Sequence, residues 1–262
     1  MFVENQNRWK AVILDLDGTL LRSDGSISEY TFKMLQECKK RGILVVVATA
    51  RFWFKAEKYL DTILPDYAIL ADGTQIYHKG EMIHGYPMDE LQCNGIISEL
   101  LRKNAEHEFV VSVGKKLLCS AGGIDEKWRV SGDFTEPMKD SAYKIAGIID
   151  SYEEAKGLAD KFGCRFYSYR GEQLYGFASE QSGKYQAVAK LGEMLQISLD
   201  EMMAFGDDEN DYDIIKNVGK GVAVANAIPS IKEIADDITQ SNDADGVAKY
   251  IDKELFALTN IH

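Results

Sequence analysis

The feature that most constrains this chain is the apolar run Ala11–Leu14, AVIL, which passes directly into Asp15-Leu16-Asp17-Gly18-Thr19. Four aliphatic residues without polar alternation indicate a strand covered on both faces, the environment of a parallel sheet packed between helices. Alternate strand residues point the same way, so Asp15 and Asp17 are expected to lie close together at the carboxyl end. Two like charges there repel unless something positive is held between them.

The following segments repeat that rhythm. A helix is expected from about Ser28 to Arg41, with Ser28 as its cap and Gly42 suited to the left-handed position beyond its last turn. The strand ILVVVAT, a second helical stretch and the strand YAILA follow. A βαβαβ order implies a parallel sheet with right-handed crossovers. The pattern then changes. TQIYHKGEMIHGY predicts a hairpin turning at Lys79 and Gly80, and HEFVVSVGKKLLCS a second turning at Gly114 and Lys115. A helix near Asp89 to Asn104, the strand YKIAGIID, a helix opened by a capping box from Ser151 to Glu154, and the strands CRFYSYR and QLYGFAS complete an α+β region. From Lys184 the first rhythm returns, with a helix to Gln196, the strand EMMAFGD, a helix near Asp213, the strand GVAVAN and a closing helix from Asp245. The expected architecture is a doubly wound, Rossmann-like α/β core, residues 1–82 and 183–262, interrupted by an α+β insert over residues 83–182.

Composition narrows the partners. With 30 basic and 42 acidic residues, net charge −12, neither a nucleic-acid backbone nor an anionic membrane is expected as partner. The start MFVENQNRWK lacks an apolar signal core, and no run approaches the roughly 18 apolar residues of a membrane span. Cys38, Cys93, Cys119 and Cys164 form no CxxC pair, which suits reduced thiols in a cytoplasmic protein. His78, His84, His107 and His262 show no metal-ligand spacing.

In an open α/β sheet, ligands bind outside the carboxyl ends of the strands. Those ends carry Asp15 and Asp17, then Thr49, Ala50 and Arg51, then Asp207 to Asp211. An all-oxygen donor set suits Mg²⁺, which would relieve the repulsion between the carboxylates. Lys184, opening the returning helix, is the candidate for a balancing side-chain cation. An EF-hand loop is a poor alternative, because Gly18 is fourth and Ser26 twelfth from Asp15. Arg51 is equally suited to binding a substrate and to pairing with a surface acid. Phe166, Tyr167 and Tyr169, with no basic stripe beside them, are expected in the core of the insert's sheet rather than in a base-stacking platform.

DLDGT at Asp15 to Thr19, the threonine after ILVVVA, Lys184 in SGKYQAV and GDDEND at Gly206 to Asp211 occur in the order found in the haloacid dehalogenase-like superfamily. The long insert and the ending GVAVANAIPSIKEIADDITQSNDADGVAKYI resemble its Cof-like phosphatases with a C2-type cap. That resemblance implies Mg²⁺-dependent hydrolysis of a small phosphate ester, such as a sugar phosphate. Asp15 would be the nucleophile that forms an aspartyl-phosphate, and Asp17 the general acid and base. Asp15, the backbone carbonyl of Asp17, and Asp207 would hold Mg²⁺. Thr49, the amides near Ala50, and Lys184 would bind the phosphoryl group. Asn210 and Asp211 would orient Lys184 or the metal shell. Three positions depart from the family pattern: Ala50 where glycine is frequent, Ala71 to Thr74 (ADGT) where an Asn-Gly pair is frequent, and Asp208 where a small residue is common. A phosphomutase shares the covalent intermediate and differs in what accepts the phosphoryl group. A non-catalytic receiver-like module would have no use for Asp17 or for the insert.

Overall fold

A computed structural model of the chain describes residues 8–103, 107–122, 125–169 and 173–256. Asn104 and Arg170, expected in a helix and a strand, lie outside these residues, as do His262 and the first seven positions. The chain begins with β1 (Ala11–Leu14), α1 (Glu29–Lys40), β2 (Leu44–Ala48), α2 (Trp53–Ile63), β3 (Tyr67–Leu70), β4 (Gln75–His78) and β5 (Glu81–Gly85). It continues with α3 (Glu90–Lys103), β6 (Phe109–Val113), β7 (Lys116–Cys119), β8 (Arg129–Ser131), β9 (Lys144–Ile148), α4 (Tyr152–Phe162), β10 (Arg165–Ser168) and β11 (Leu174–Ala178). The last part comprises α5 (Lys184–Leu195), β12 (Met202–Gly206), α6 (Tyr212–Asn217), β13 (Lys220–Ala223), α7 (Pro229–Ile234), β14 (Asp237–Ile238) and α8 (Gly246–Phe256).

The first sheet has the order β14-β13-β12-β1-β2-β3-β4-β5, parallel from β14 to β3. All four residues of β1 are buried, as its unbroken apolar run requires. Successive strands step from β1 to β2 and β3 on one side, and from β12 to β13 and β14 on the other. The order therefore reverses between β1 and β12, and the crevice at their carboxyl ends is where ligands bind in such sheets. Leu14 is level with both Phe205 and Val47. Asp15, Asp207 and Thr49 thus leave three neighbouring strands at nearly the same height.

Local signals account for the element ends. The Ser28 hydroxyl accepts from the Thr31 N–H at 2.9 Å, and Gly42 beyond α1 has φ 73°. Lys79 and Gly80 turn the β4–β5 hairpin with φ of 48° and 80°. Ser151 accepts from the Glu154 N–H at 3.2 Å, whereas the Glu154 carboxylate reaches Lys103 at 3.6 Å. β8 and β14 escaped the sequence reading because three and two residues are too few to display a period, and the six-residue α7 was not expected either.

A second, six-stranded sheet, β10-β11-β9-β6-β7-β8, belongs to the insert. β5 spans the expected boundary at Ile83 but pairs with β4 in the first sheet. Each sheet has its own apolar cluster: Ile13, Leu14, Val46 and Phe205 lie in the first, and Ile96, Phe109, Val111, Ile145 and Phe177 in the second. Two separately closed cores are what an independently folding insertion requires.

Two close backbone approaches place the crevice loops. At Gly73, whose φ is 85°, a Cβ would lie 2.2 Å from the Gly183 carbonyl carbon, so the turn after β3 rests on the chain just before α5. At Gly206 a Cβ would lie 2.5 Å from the Asp211 Cβ, because the loop after β12 folds back over the strand end. Gly206→Ala should therefore lower unfolding free energy by roughly 1–3 kcal/mol through overpacking. The urea midpoint measures it, and an unchanged midpoint would show that this loop yields freely.

Candidate active site

β1 ends at Leu14, and the alternation that would set Asp15 and Asp17 side by side ends with it. The chain enters a wide turn in which the Leu20 N–H bonds to the Asp15 carbonyl at 3.3 Å and the Leu21 N–H to the Leu16 carbonyl at 2.9 Å. Gly18 lies inside this turn at φ 77°, where a Cβ would come within 2.4 Å of Asp207 Oδ2. The Thr19 hydroxyl donates to Asp207 Oδ1 at 2.7 Å. The carboxylate beside Asp15 is therefore not that of Asp17, as strand alternation suggested. Asp15, Asp207 and Asp211 each bring an oxygen within 4.8 Å of the others.

Asp17 is turned outward, its side chain 56% exposed. Arg51 grips it with two hydrogen bonds, Nε to Oδ2 at 2.7 Å and Nη2 to Oδ1 at 2.5 Å. Of the two uses foreseen for Arg51, the structure shows the acid pairing. These bonds raise the Arg51 pKa, and the guanidinium also lies 4.8 Å from the Tyr59 ring. Thr49 is completely buried at the end of β2, its N–H bonded to the Ile69 carbonyl at 2.9 Å and its hydroxyl accepting from the Arg51 N–H at 3.2 Å. Ala50 lies between them, half-buried.

Lys184 is the first residue of α5, and its side chain is 1% exposed. Its ammonium donates to Asp15 Oδ1 at 2.7 Å, to Asp211 Oδ1 at 2.7 Å and to Asn210 Oδ1 at 3.3 Å. Asp211 Oδ2 accepts from the N–H groups of Asp207 at 3.1 Å and Asp208 at 3.4 Å. Both Asp211 oxygens are thus engaged, and its role here is to fix Lys184 and the loop. Asp208 accepts from the Glu209 N–H at 2.8 Å, a turn cap that explains an acid at this position.

Burial pushes the Asp15 carboxyl well above its ordinary range, opposed by Lys184 and reinforced by Asp211 and Asp207. Burial also moves Asp207 up from 3.8 to about 6, with Asp211 and Asp208 acting in the same direction against the Thr19 hydrogen bond. For Lys184, burial works against the charge, but Asp15 and Asp211 outweigh it and raise its pKa. Neighbouring acids held out of water in this way suit a hard cation, and Asp15 and Asp207 bring carboxylate oxygens within 4.8 Å of each other. Asp15 and Asp207 are the side chains that fit it.

The insert supplies the opposite wall. A cleft of about 240 Å³ lies between β10, the start of α5 and the loop after β12, and one of about 840 Å³ between the β10 region and the loops after β3 and β12. Phe166, Tyr167, Glu209 and Asn210 line both clefts, Arg165 and Lys184 the smaller, and Tyr169 and Asp208 the larger. Phe166 packs on the insert's core as expected, stacked 5.8 Å from Tyr175. Tyr167 and Tyr169 instead cross to the first sheet, where their hydroxyls donate to the Asp72 carbonyl at 3.2 Å and Asp72 Oδ2 at 2.8 Å. Lys144, on β9, donates to the same Oδ2. Asp72 and Lys144 were absent from the sequence-based site. The available signals were the acid in ADGT and a lysine in an otherwise apolar strand.

Comparison with known proteins agrees with this geometry. The profile of the haloacid dehalogenase-like hydrolase family matches residues 12–251. Phosphatase YwpJ of Bacillus subtilis (strain 168) is 28% identical, with 91% of this chain and 97% of that protein covered. The 5-amino-6-(5-phospho-D-ribitylamino)uracil phosphatase YcsE of the same organism is also 28% identical, over 92% of this chain and 94% of its own length. A solved haloacid dehalogenase-like hydrolase from B. subtilis superposes with a TM-score of 0.79 at 25% identity, covering 92% of this chain and 98% of the other. From its sheet order, its crevice and its match along nearly the whole length, the chain belongs to the haloacid dehalogenase-like hydrolases, in their Cof-like subfamily.

Proposed function

We propose that this protein is a magnesium-dependent phosphatase that hydrolyses a small phosphorylated metabolite, a sugar phosphate or similar ester, through an aspartyl-phosphate on Asp15. The observation that carries this reading is Asp15 itself: a buried carboxylate at the reversal of strand order, bonded to Lys184 and within reach of Asp207. Named phosphatases among the relatives, one of them named for a phosphorylated ribityl compound, support the substrate class.

An Asp15 oxygen attacks phosphorus, the bond from phosphorus to the ester oxygen breaks, and Asp17 gives the departing alcohol its proton. For this, Asp17 must turn from Arg51, and its exposure leaves room to do so. The Asp17 carboxylate then takes a proton from water as that water attacks phosphorus. Asp15 is released, and phosphate leaves. Unit charges about 4 Å apart interact by roughly 4 kcal/mol at an effective dielectric near 20, so a carboxylate facing a phosphate dianion needs positive charge nearby. Lys184 supplies one such charge, and Thr49 with the amides near Ala50 would bind the phosphoryl group. Magnesium held by Asp15, Asp207 and the Asp17 carbonyl would supply the other by drawing charge from the phosphoryl oxygens. The insert, with Arg165, Phe166 and Tyr167 above the crevice, is the cap that surrounds the leaving alcohol and keeps out water.

Asp15→Asn should abolish turnover while leaving the fold intact, since an amide has the carboxylate's shape without its nucleophilicity. A folded variant with wild-type phosphate release would refute the mechanism.

Asp17→Asn should slow turnover by about 10²–10⁴, with the smaller loss for a good leaving group, and should accumulate phosphoenzyme. Equal losses for good and poor leaving groups, with no phosphoenzyme trapped on quenching, would remove Asp17 from the chemistry.

Asp207 gives a pH signature. Its folded value of about 6 exceeds the ordinary 3.8, so the folded metal-free protein holds this proton to higher pH than the unfolded chain. The resulting stabilisation is complete below about pH 4 and is lost as pH rises through about 6. In EDTA, the melting temperature of wild type relative to Asp207→Asn should fall between about pH 5 and pH 7.5, and Mg²⁺ should restore the wild type at the higher pH. A difference that stays constant with pH would show that Asp207 is not held out of water as described.

A further inference from the structure

The mechanism above makes no use of the buried pair Asp72 and Lys144, which joins the turn after β3 to β9 of the insert. Each side chain is 1% exposed. The Lys144 ammonium lies 4.9 Å from the ring of Phe52, 5.3 Å from Tyr167 and 5.1 Å from Tyr169, a cage of three aromatic faces. Its stem passes beside Gly176 on β11, where a Cβ would lie 3.1 Å from Lys144 Cε and 3.0 Å from the Tyr169 hydroxyl. A side chain there would press on both groups that dock on Asp72.

Asp72 is equally constrained from the core. Ala71, Asp72 and Gly73 all have positive φ, 52°, 57° and 85°, and two of these three residues carry a Cβ that disfavours it. The Asp72 N–H bonds to the Thr49 carbonyl at 3.2 Å, and Gly73 rests on Gly183, the residue before Lys184. The second Asp72 oxygen accepts from Asn210 Nδ2 at 3.4 Å, while Asn210 Oδ1 accepts from Lys184 at 3.3 Å. A chain of polar contacts thus runs from Lys144 through Asp72, Asn210 and Lys184 to Asp15.

We propose that Asp72 is a competing partner for Lys184, its charge balanced only while the insert's Lys144 is docked on it, so that one carboxylate couples cap docking to the placement of the catalytic lysine. The proposal rests on the phosphatase reading. Burial would raise the Asp72 carboxyl, but Lys144 outweighs it and Lys184 adds to the effect, leaving the carboxyl below its ordinary range. When the cap lifts, Lys144 leaves, and Lys184 is the cation that remains near Asp72. Asp72 then competes with Asp15 for it, or draws in water. Docking ends the competition and returns Lys184 to Asp15.

The test compares full-length wild type, Lys144→Met and the double variant Lys144→Met/Asp72→Asn, with p-nitrophenyl phosphate as substrate. Lys144→Met leaves a buried carboxylate unbalanced and should lower kcat about tenfold or more, whereas the double variant removes both charges and should recover to within about threefold of wild type. Trp128 of the insert, which donates to Glu57 of α2 at 2.8 Å and lies 6.2 Å from Trp53, reports docking by its emission. The emission should shift to the red in Lys144→Met and return in the double variant. A double variant as slow as the single one, or a single variant indistinguishable from wild type, would overturn the coupling. If Lys144→Met fails to fold, a folded double variant decides: near-normal turnover supports the proposal and a tenfold loss overturns it. If wild type hydrolyses no phosphate ester, the phosphatase reading falls. The emission series then judges the coupling alone, and no red shift in Lys144→Met overturns it.

Discussion

One buried ammonium, Lys184, sets the geometry of the crevice. It donates at 2.7 Å to both Asp15 and Asp211, and without it these acids and Asp207 would crowd together without the ammonium that bonds two of them. A buried ion pair is weak evidence for stability, because desolvating both charges offsets much of their attraction. Its value here is positional. Lys184 holds an Asp15 oxygen at a defined place, and Asp211 holds both Lys184 and the backbone amides of the loop that carries Asp207.

The sheet makes this arrangement possible. Parallel strands lying level at β12, β1 and β2 deliver an acid, an acid and a threonine to one edge, and α5 brings Lys184 up beside them. Backbone contacts at Gly73 and Gly206 remove the slack from the loops between these groups. Among the described residues, the hydrogen-bond partners of the Asp15 carboxylate come from the first sheet's side. The insert closes the far side through aromatic and charged groups that converge on Asp72, so the two apolar cores meet over a polar seam.

Much of the fold could be read from hydrophobic pattern. The continuous runs AVIL and LVVVA specified strands buried on both faces, and Ser28 with Gly42 marked the ends of α1. The break in rhythm after the third strand marked where the α+β pattern begins, and a second sheet runs from β6 to β11 in that region. The expected start at Ile83 falls inside β5, because a hairpin arm carries no local signal of which sheet it joins. Within the crevice, Asp15, Thr49, Lys184 and Asp207 were legible from their places at strand and helix ends. Asp17 was legible as a residue but not in its orientation, since strand alternation gives no warning that the strand stops at Leu14.

What the amino-acid sequence alone determined is therefore local and periodic: which segments become strands and helices, which acids stand at their ends, and the family those residues resemble. What only the tertiary structure decided is pairing across long separations. Arg51 meets Asp17, Asp211 meets Lys184, and Lys144 meets Asp72 over 72 residues, with Tyr169 closing on the same carboxylate from 97 residues away. No short-range pattern encodes such meetings. For Lys184 and Lys144 the charge is committed to its buried partner only once packing has excluded water around both, and that exclusion belongs to the assembled fold.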